Sequence, residues 1–316
     1  MATSIPIVDF QQYGLHIKNE TEITNADLKK IGDKLIAAFD SIGFCYIINH
    51  GIPQDLIEKI FGVSKTFFDL STEAKLKYIR SKDIADNHGY VEMGRESLNP
   101  QRPGDCKEAF NFTPNHAKFW PTKEVPEMQD IFHKFYDECK QIAFRIFDVF
   151  TLGLKLEDRN FLRNSHKNIG CDRNCTTIRS IWYPPLPKDG SIKPGQVRCG
   201  EHSDYGTLTL LLQDGIGGLE VCNKNGDYIP ATPVPGAICV NIGDLMQRWT
   251  ADKLIATKHR VLIPESEVLK NKGRQSIAFF IHPDDDFVIK CLDGSDKYKP
   301  ISALDYLNWR FSLTYQ

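Results

Sequence analysis

No run of 18 apolar residues occurs in this 316-residue chain, so a membrane-spanning helix is not expected. Excess charge is also lacking. The formal net charge is −2, which leaves no basic field to hold nucleic acid or an anionic membrane, and neither is expected as a partner. The opening MATSIPIVDF has neither the basic nor the apolar region of a secretory leader. An even cysteine framework is missing too: nine cysteines, scattered from Cys45 to Cys291, read as free thiols in a reducing compartment, so a cytoplasmic location is expected. Cys171 and Cys175 in CDRNC have no second pair at zinc-finger spacing and read as loop residues. Repeats, low-complexity tracts and Pro/Gly/Ser linkers are absent, so residues 1–316 are read as one structural unit. At 41% hydrophobic residues, that unit can bury a sizeable core.

What is present changes character near residue 176. Before it, the pattern is mainly helical. Leu28, Ile31, Leu35, Ile36 and Phe39 recur at helical spacing over 25–42, and Gly43 provides a stop. GFCYIIN (43–49) reads as a short strand, and Pro53 opens a second helix. Residues 126–153 carry one continuous apolar stripe from Met128 to Phe150, which reads as core. After residue 176 come short β-rich runs: TTIRSIWY, GTLTLLLQ, GLEVC, AICVNIG, KHRVLI and RQSIAFFI. These point to a sandwich or jelly roll, with the first half as a helical layer over a β core.

Two His-x-Asp pairs stand in the β-rich half. Residues i and i+2 of a strand share a side, so either pair can present two ligands to one metal ion. His202 and Asp204 are followed, 55 residues after Asp204, by His259 in a β-like run. Two imidazoles and a carboxylate suit Fe(II) and leave the opposite coordination positions open. His282 and Asp284 are followed by no further histidine, and Pro283 with Asp284-Asp285-Asp286 reads as a solvated turn. Fifteen residues after His259, Arg274 and Ser276 share one side of a strand. A guanidinium beside a hydroxyl is suited to a carboxylate. Arg-x-Ser also occurs at Arg95, Arg163 and Arg310, so it is the order after His259 that gives it weight.

The ordered set His202-x-Asp204, His259-Arg260-Val261 and Arg274-x-Ser276 resembles the signature of the Fe(II)/2-oxoglutarate-dependent oxygenases, in their isopenicillin-N-synthase-like branch. IPIVDF, GFCYIINHGIP, KTFFDLSTEAK, WYPP, HSDYGTLTLLLQD, GGLEV and PGAICVNIGDLMQRWT extend the likeness through nearly the whole chain. The resemblance implies a double-stranded β-helix (a distorted jelly roll) with surrounding helices, in a mixed α and β chain. It implies an N-terminal non-haem dioxygenase region over 1–120 and an oxygenase β-core over 175–285. His202, Asp204 and His259 would hold Fe(II). Arg274, Ser276 and Tyr183 would bind the distal carboxylate of 2-oxoglutarate. Phe280 would face substrate, with Tyr205 beside Asp204. The activity implied consumes O2 and 2-oxoglutarate, releases succinate and CO2, and hydroxylates, desaturates or cyclises a small molecule; ascorbate would help in vitro. Relatives commonly carry Asn two residues before the Tyr of WYPP. Ile181 stands there and removes a polar contact.

RCGEHSDYGTLTLL is most similar to fungal, bacterial and animal members, some of which oxidise a pyrimidine methyl group. Two other readings stay open at this point. One is an iron oxidase of the same fold that does not use 2-oxoglutarate, and the other a ligand-binding or sensing protein with little turnover. Lys107, Glu108, Arg179, Arg198 and Glu201 are candidates for either substrate contact or surface pairing. His50 reads as a turn residue, and Gly217-Gly218 as a turn rather than a phosphate loop. Substrate-facing residues are expected around 88–115 and in the C-terminal stretch.

Overall fold

The computed structural model describes residues 4–19, 23–83, 86–96, 98, 102–186, 192–263 and 271–314. The helices follow the apolar periodicity closely. Helix α1 (Asn25–Ile42) starts where the Thr24 side chain accepts from the Asp27 N–H. It ends at Gly43, whose φ of 74° and N–H bond to the Phe39 carbonyl form a left-handed cap. Helices α2 (Gln54–Phe68), α3 (Thr72–Leu76), α4 (Met128–Gly153) and α5 (Phe161–Ser165) follow. Helix α1 crosses α4 closely. A Cβ on Gly32 would lie 2.1 Å from the Val149 carbonyl oxygen, so only glycine permits that approach.

The strands are β1 (Ile7–Asp9), β2 (Phe44–Ile48), β3 (Gly89–Val91), β4 (Glu108–Phe112), β5 (Thr177–Tyr183), β6 (Cys199–His202), β7 (Leu208–Gln213), β8 (Leu219–Cys222), β9 (Tyr228–Pro230), β10 (Ile238–Ile242), β11 (His259–Val261), β12 (Arg274–Ile281), β13 (Val288–Ile289) and β14 (Ile301–Ser302). Helix α6 (Asp244–Trp249) and a C-terminal helix α7 (Ala303–Thr314) complete the chain. An eight-stranded sheet runs β1-β2-β10-β7-β12-β5-β4-β3, and a four-stranded sheet runs β6-β11-β8-β9. The helical-layer expectation for the first half therefore needs correction. Four of the eight strands of the large sheet, β1 to β4, come from before residue 113, because their apolar runs are as short as three residues and fall below helical length.

Strand alternation divides the large sheet into two faces. On β12, Ile277, Phe279 and Ile281 pack in one core cluster with the helices, as do Leu208, Leu210 and Leu212 of β7 and Ile238, Val240 and Ile242 of β10. The alternate residues point toward the small sheet: Arg274, Ser276, Ala278 and Phe280 of β12, Thr209 and Leu211 of β7, and Asn241 of β10 all line one cavity. A second apolar cluster, including Phe44, Ala109, Ile181, Tyr183, Leu219, Val221 and Val261, holds the sheets together around it. No helix among the described residues is long and apolar enough to cross a membrane.

Candidate active site

Antiparallel pairing of β6 with β11 places His202 directly opposite His259. Their rings lie 4.3 Å apart, and Phe44 meets the His259 ring edge-on at 5.4 Å. The Nδ1 of His202 lies 2.8 Å from the Gly200 carbonyl oxygen, and that of His259 lies 3.1 Å from the Thr257 carbonyl oxygen. A carbonyl can only accept, so each Nδ1 carries the proton and each Nε2 presents a lone pair. Both Nε2 atoms lie 3.7 Å from Asp204 Oδ1. The other carboxylate oxygen, Oδ2, accepts from the Thr209 hydroxyl at 2.6 Å and the Asn241 amide at 2.7 Å. One atom from each of the three residues falls within 4.8 Å of the others.

Electrostatics keep this set in its ligating form. Burial pushes His259 down to about 4, helped by the neighbouring His202, and burial likewise lowers His202. Burial alone would raise the Asp204 carboxyl. The adjoining imidazoles and the hydrogen bonds from Thr209 and Asn241 outweigh it and hold the group below the usual carboxylate range. At neutral pH the triad is two neutral imidazoles and one carboxylate, a donor set that fits Fe(II).

A cavity of about 60 Å³ leads from the triad between the sheets to Arg274 and Ser276. Register places Tyr183 directly across from Arg274 and Ile181 across from Ser276. The Arg274 guanidinium donates to the Gly217 carbonyl at 2.7 Å, Gln213 Oε1 at 3.0 Å and Ser276 Oγ at 3.3 Å, and lies 4.9 Å from the Tyr183 ring centre. No carboxylate among the described residues pairs with it, although it is 1% exposed. Arg198, also buried, donates to the Lys272 carbonyl at 3.0 Å, and burial and the nearby Arg274 lower its affinity for its proton. A buried cation without a counter-charge is costly, so this end of the cavity fits an anionic ligand. Gly217, at φ 76°, is the expected turn residue, and its carbonyl also fixes the guanidinium.

On the other side of the triad lies a chamber of about 110 Å³. His202, Asp204, Ile181, Cys199 and Phe280 border both spaces. Tyr205, Asn87, Asn111, Lys107, Arg179 and His282 belong to the second, with Leu307 and Phe311 of α7 closing it. Helix α7 is fastened there: Arg310 pairs with Asp244, the Tyr306 hydroxyl donates to Asp244 at 2.9 Å, and the Arg310 guanidinium lies 4.2 Å from the Tyr205 ring centre. The Asp244 N–H in turn donates to the Asp204 carbonyl at 2.8 Å.

The structure separates the five ambiguous charged candidates. Lys107 and Arg179 line the chamber. Glu108 accepts from Lys75 at 2.6 Å and from the Tyr90 hydroxyl at 2.7 Å. Glu201 pairs with Arg102 and Arg260, and Arg198 lies toward Arg274. His50 accepts from the Ile52 N–H within its turn. The segment 88–115 reaches the chamber through Glu96, Leu98, Lys107 and Asn111, while residues 97 and 99–101 lie outside the described residues. The solvated-turn reading of His282 and Asp284 is wrong: they are 7% and 2% exposed, because residues 165–174 fold over them. Sequence reasoning also passed over Thr209 and Asn241. Each is a polar residue on the inward parity of an otherwise apolar strand, and that was a legible signal.

Comparison with known proteins follows the same division. Residues 5–132 match the family described as non-haem dioxygenase in morphine synthesis N-terminal, and residues 169–283 match the 2OG-Fe(II) oxygenase superfamily. The chain is 33% identical to the 2-oxoglutarate-Fe(II) type oxidoreductase ppzD of Metarhizium rileyi, covering 89% of this chain and 85% of that one. It is 31% identical to the proline hydroxylase buaE of Petromyces alliaceus, covering 82% and 83%. A full-length Neurospora crassa protein in complex with alpha-KG and thymine superposes with a TM-score of 0.83 at 30% identity, covering 98% of this chain and 96% of that one.

Proposed function

Because this chain belongs to the 2OG-Fe(II) oxygenase superfamily and is a 2-oxoglutarate-dependent non-haem iron dioxygenase, we propose that His202, Asp204 and His259 are its iron ligands. Arg274, Ser276 and Tyr183 anchor the distal carboxylate of the cosubstrate, and the chamber beyond Phe280 and Tyr205 takes a small organic substrate. The observation that carries this reading is the convergence of both Nε2 atoms on Asp204 Oδ1, at 3.7 Å each, between an uncompensated guanidinium and a separate chamber.

When bound, Fe(II) supplies oxygen activation, coupled to oxidative decarboxylation of 2-oxoglutarate to succinate and CO2. The protein's own contribution is positional. Gly200 and Thr257 fix the two imidazole tautomers, while Thr209 and Asn241 fix the carboxylate. Gly217 and Gln213 aim Arg274 along the cavity. Ile181 borders both spaces and offers no hydrogen bond, so the cosubstrate is oriented from the Arg274 end. Helix α7 limits water access above Phe280, and hydroxylation of a C–H bond held there is the expected outcome. Thymine, the ligand of the Neurospora neighbour, is a candidate substrate. Nine cysteines, all unpaired, support residence in the reducing cytoplasm.

The test is succinate production from 2-oxoglutarate by anaerobically purified protein given Fe(II), ascorbate and air. Succinate is expected to require iron and to respond to a small-molecule substrate. Iron-independent succinate, or substrate oxidation without any succinate, would overturn the assignment; the second result would favour an oxidase.

A further inference from the structure

Strand β6 carries His202 on an irregular stretch. Its pairing with β11 sets Cys199 opposite Val261 and His202 opposite His259. Between those partners lies one residue on β11, Arg260, but two on β6, Gly200 and Glu201. The extra residue makes a β-bulge in β6. Residues three apart on a regular strand point to opposite faces, yet Cys199 and His202 both line the cavity that His259 and Val261 line. With Cys199 facing inward, it is the bulge that turns His202 inward as well.

A bulge takes backbone groups out of the ladder. Strand β6 is also the edge of its sheet, in the order β6-β11-β8-β9, so among the described residues no strand pairs with its other side. A side chain takes the Gly200 N–H instead: it donates to Asp105 Oδ1 at 3.0 Å. The other Asp105 oxygen accepts from Lys107 Nζ at 2.8 Å, and Lys107 Nζ also lies 3.4 Å from Cys199 Sγ. The Cys106 N–H donates to the Val197 carbonyl at 3.1 Å, so residues 105–107 are fastened alongside 197–200.

Asp105 and Lys107 are 2% and 5% exposed. Such a buried carboxylate is costly unless it is paired and fully hydrogen-bonded, and here one oxygen meets the ammonium while the other meets the amide. A carboxylate suits this task because it accepts from both at once, with the amide bond charge-assisted. Gly200 has no Cβ to restrict its backbone. Its carbonyl, which accepts from the His202 Nδ1–H at 2.8 Å, is therefore oriented by whatever holds its N–H.

We propose that Asp105 is a positioning residue for the metal site: held by Lys107, it pins the bulge at Gly200 and so aims His202 Nε2 at the point shared with Asp204 and His259. This rests on the iron-ligand reading above. It gives the segment leading into β4 a direct part in shaping a site whose ligands all lie after residue 200.

The experiment titrates Co(II), standing for Fe(II), into the metal-free full-length chain with 2-oxoglutarate under anaerobic conditions. Affinity is read by calorimetry and ligand geometry by the visible ligand-field spectrum. Asp105→Leu removes the acceptor and is expected to bind Co(II) about tenfold or more weakly, with an altered spectrum. The double variant Asp105→Asn/Lys107→Met keeps an amide oxygen for the Gly200 N–H while removing both charges, and is expected to stay within about threefold of wild type. A purely stabilising role would lower the melting temperature of both variants and leave affinity and spectrum unchanged in Asp105→Leu; that result overturns the inference. Equal weakening in both variants overturns it too, since the bond to Gly200 would then not matter. Should Asp105→Leu fail to fold, the metal-free wild type labelled with nitrogen-15 glycine decides. Its Gly200 amide is expected to resist hydrogen exchange, and exchange at the rate of an open strand edge overturns the inference. Asp204→Ala separates the two readings. If it binds Co(II) as well as wild type, the iron-ligand reading falls; if it loses binding while Asp105→Leu does not, only the role of Asp105 falls.

Discussion

Two tripeptides of the same form, His202-Ser203-Asp204 and His282-Pro283-Asp284, end up largely buried and differ in their surroundings. In the first, both Nδ1–H groups of the paired histidines are held by carbonyls, and one carboxylate oxygen is held by Thr209 and Asn241. Everything left over points to one place. In the second, Asp284 Oδ1 accepts from the Asn174 amide and the Asn168 N–H, each at 3.0 Å, and the Asp284 N–H donates to the Ser165 carbonyl at 2.8 Å. Its Oδ1 is committed to tying a loop to the end of β12, and among the described residues only the first pair belongs to a group of three that could hold a metal ion. His282 lines the chamber beside the triad. Ligating ability is therefore set by which lone pairs the surrounding hydrogen bonds leave over.

The largest expected effect tests this contrast directly. Asp204→Ala should remove iron-dependent succinate formation, with a loss greater than the roughly 10–100-fold that follows loss of an outer hydrogen-bond partner. Iron content after gel filtration should fall with it. Retention of iron and turnover by Asp204→Ala would remove the first pair from the site.

Next comes the support of the first pair. Asn241→Leu removes a 2.7 Å donor from Asp204 Oδ2 and should weaken iron affinity by about 10–100-fold, read by titration under anaerobic conditions. An unchanged affinity would show that Thr209 alone holds the carboxylate.

Acid should distinguish the pairs as well. His282, lowered from 6.5 to about 4, and His166, lowered to about 3, are both shifted by burial and bind fewer protons folded than unfolded. Their contribution is complete above pH 6.5 and is lost as pH falls, toward 4 for His282 and toward 3 for His166. For His282 the shift corresponds to on the order of 3 kcal/mol. Added Mn(II) should protect His202 and His259 against acid but leave this loss in place. Melting temperatures recorded from pH 7 to 4.5, with and without the metal, read both effects; a flat profile would contradict neutral burial of His282 and His166.

The smallest effect belongs to the second carboxylate. Asp284→Ala leaves the Asn174 and Asn168 donors unpaired and should cost about 1–3 kcal/mol of stability while iron binding persists. Loss of iron with no change in melting would reverse the distinction between the pairs.

Much of the proposed active site is legible in the sequence. Period-two spacing placed Arg274 with Ser276, and the order of motifs picked out His259 as the partner of the 202/204 pair. The three long helices also followed from their apolar stripes, as did the main runs of the β core. Strands β3 and β4 did not, since Gly89–Val91 and Glu108–Phe112 show no alternation: every residue in both is buried. Helix α7 is legible in the sequence only as a C-terminal stretch, although its Leu307 and Phe311 line the chamber beside the triad. His282 was misassigned because three successive aspartates look solvated from the sequence.

The sequence by itself determined which side chains share a strand face, because alternation is fixed by backbone geometry within a few residues. It thereby grouped the proposed metal donors and the proposed carboxylate anchor. Only the tertiary structure decided which of those side chains keep an uncommitted lone pair. The partners that consume or spare it, Thr209, Asn241 and Asn174, arrive from other strands and loops, and burial is set by what those segments cover.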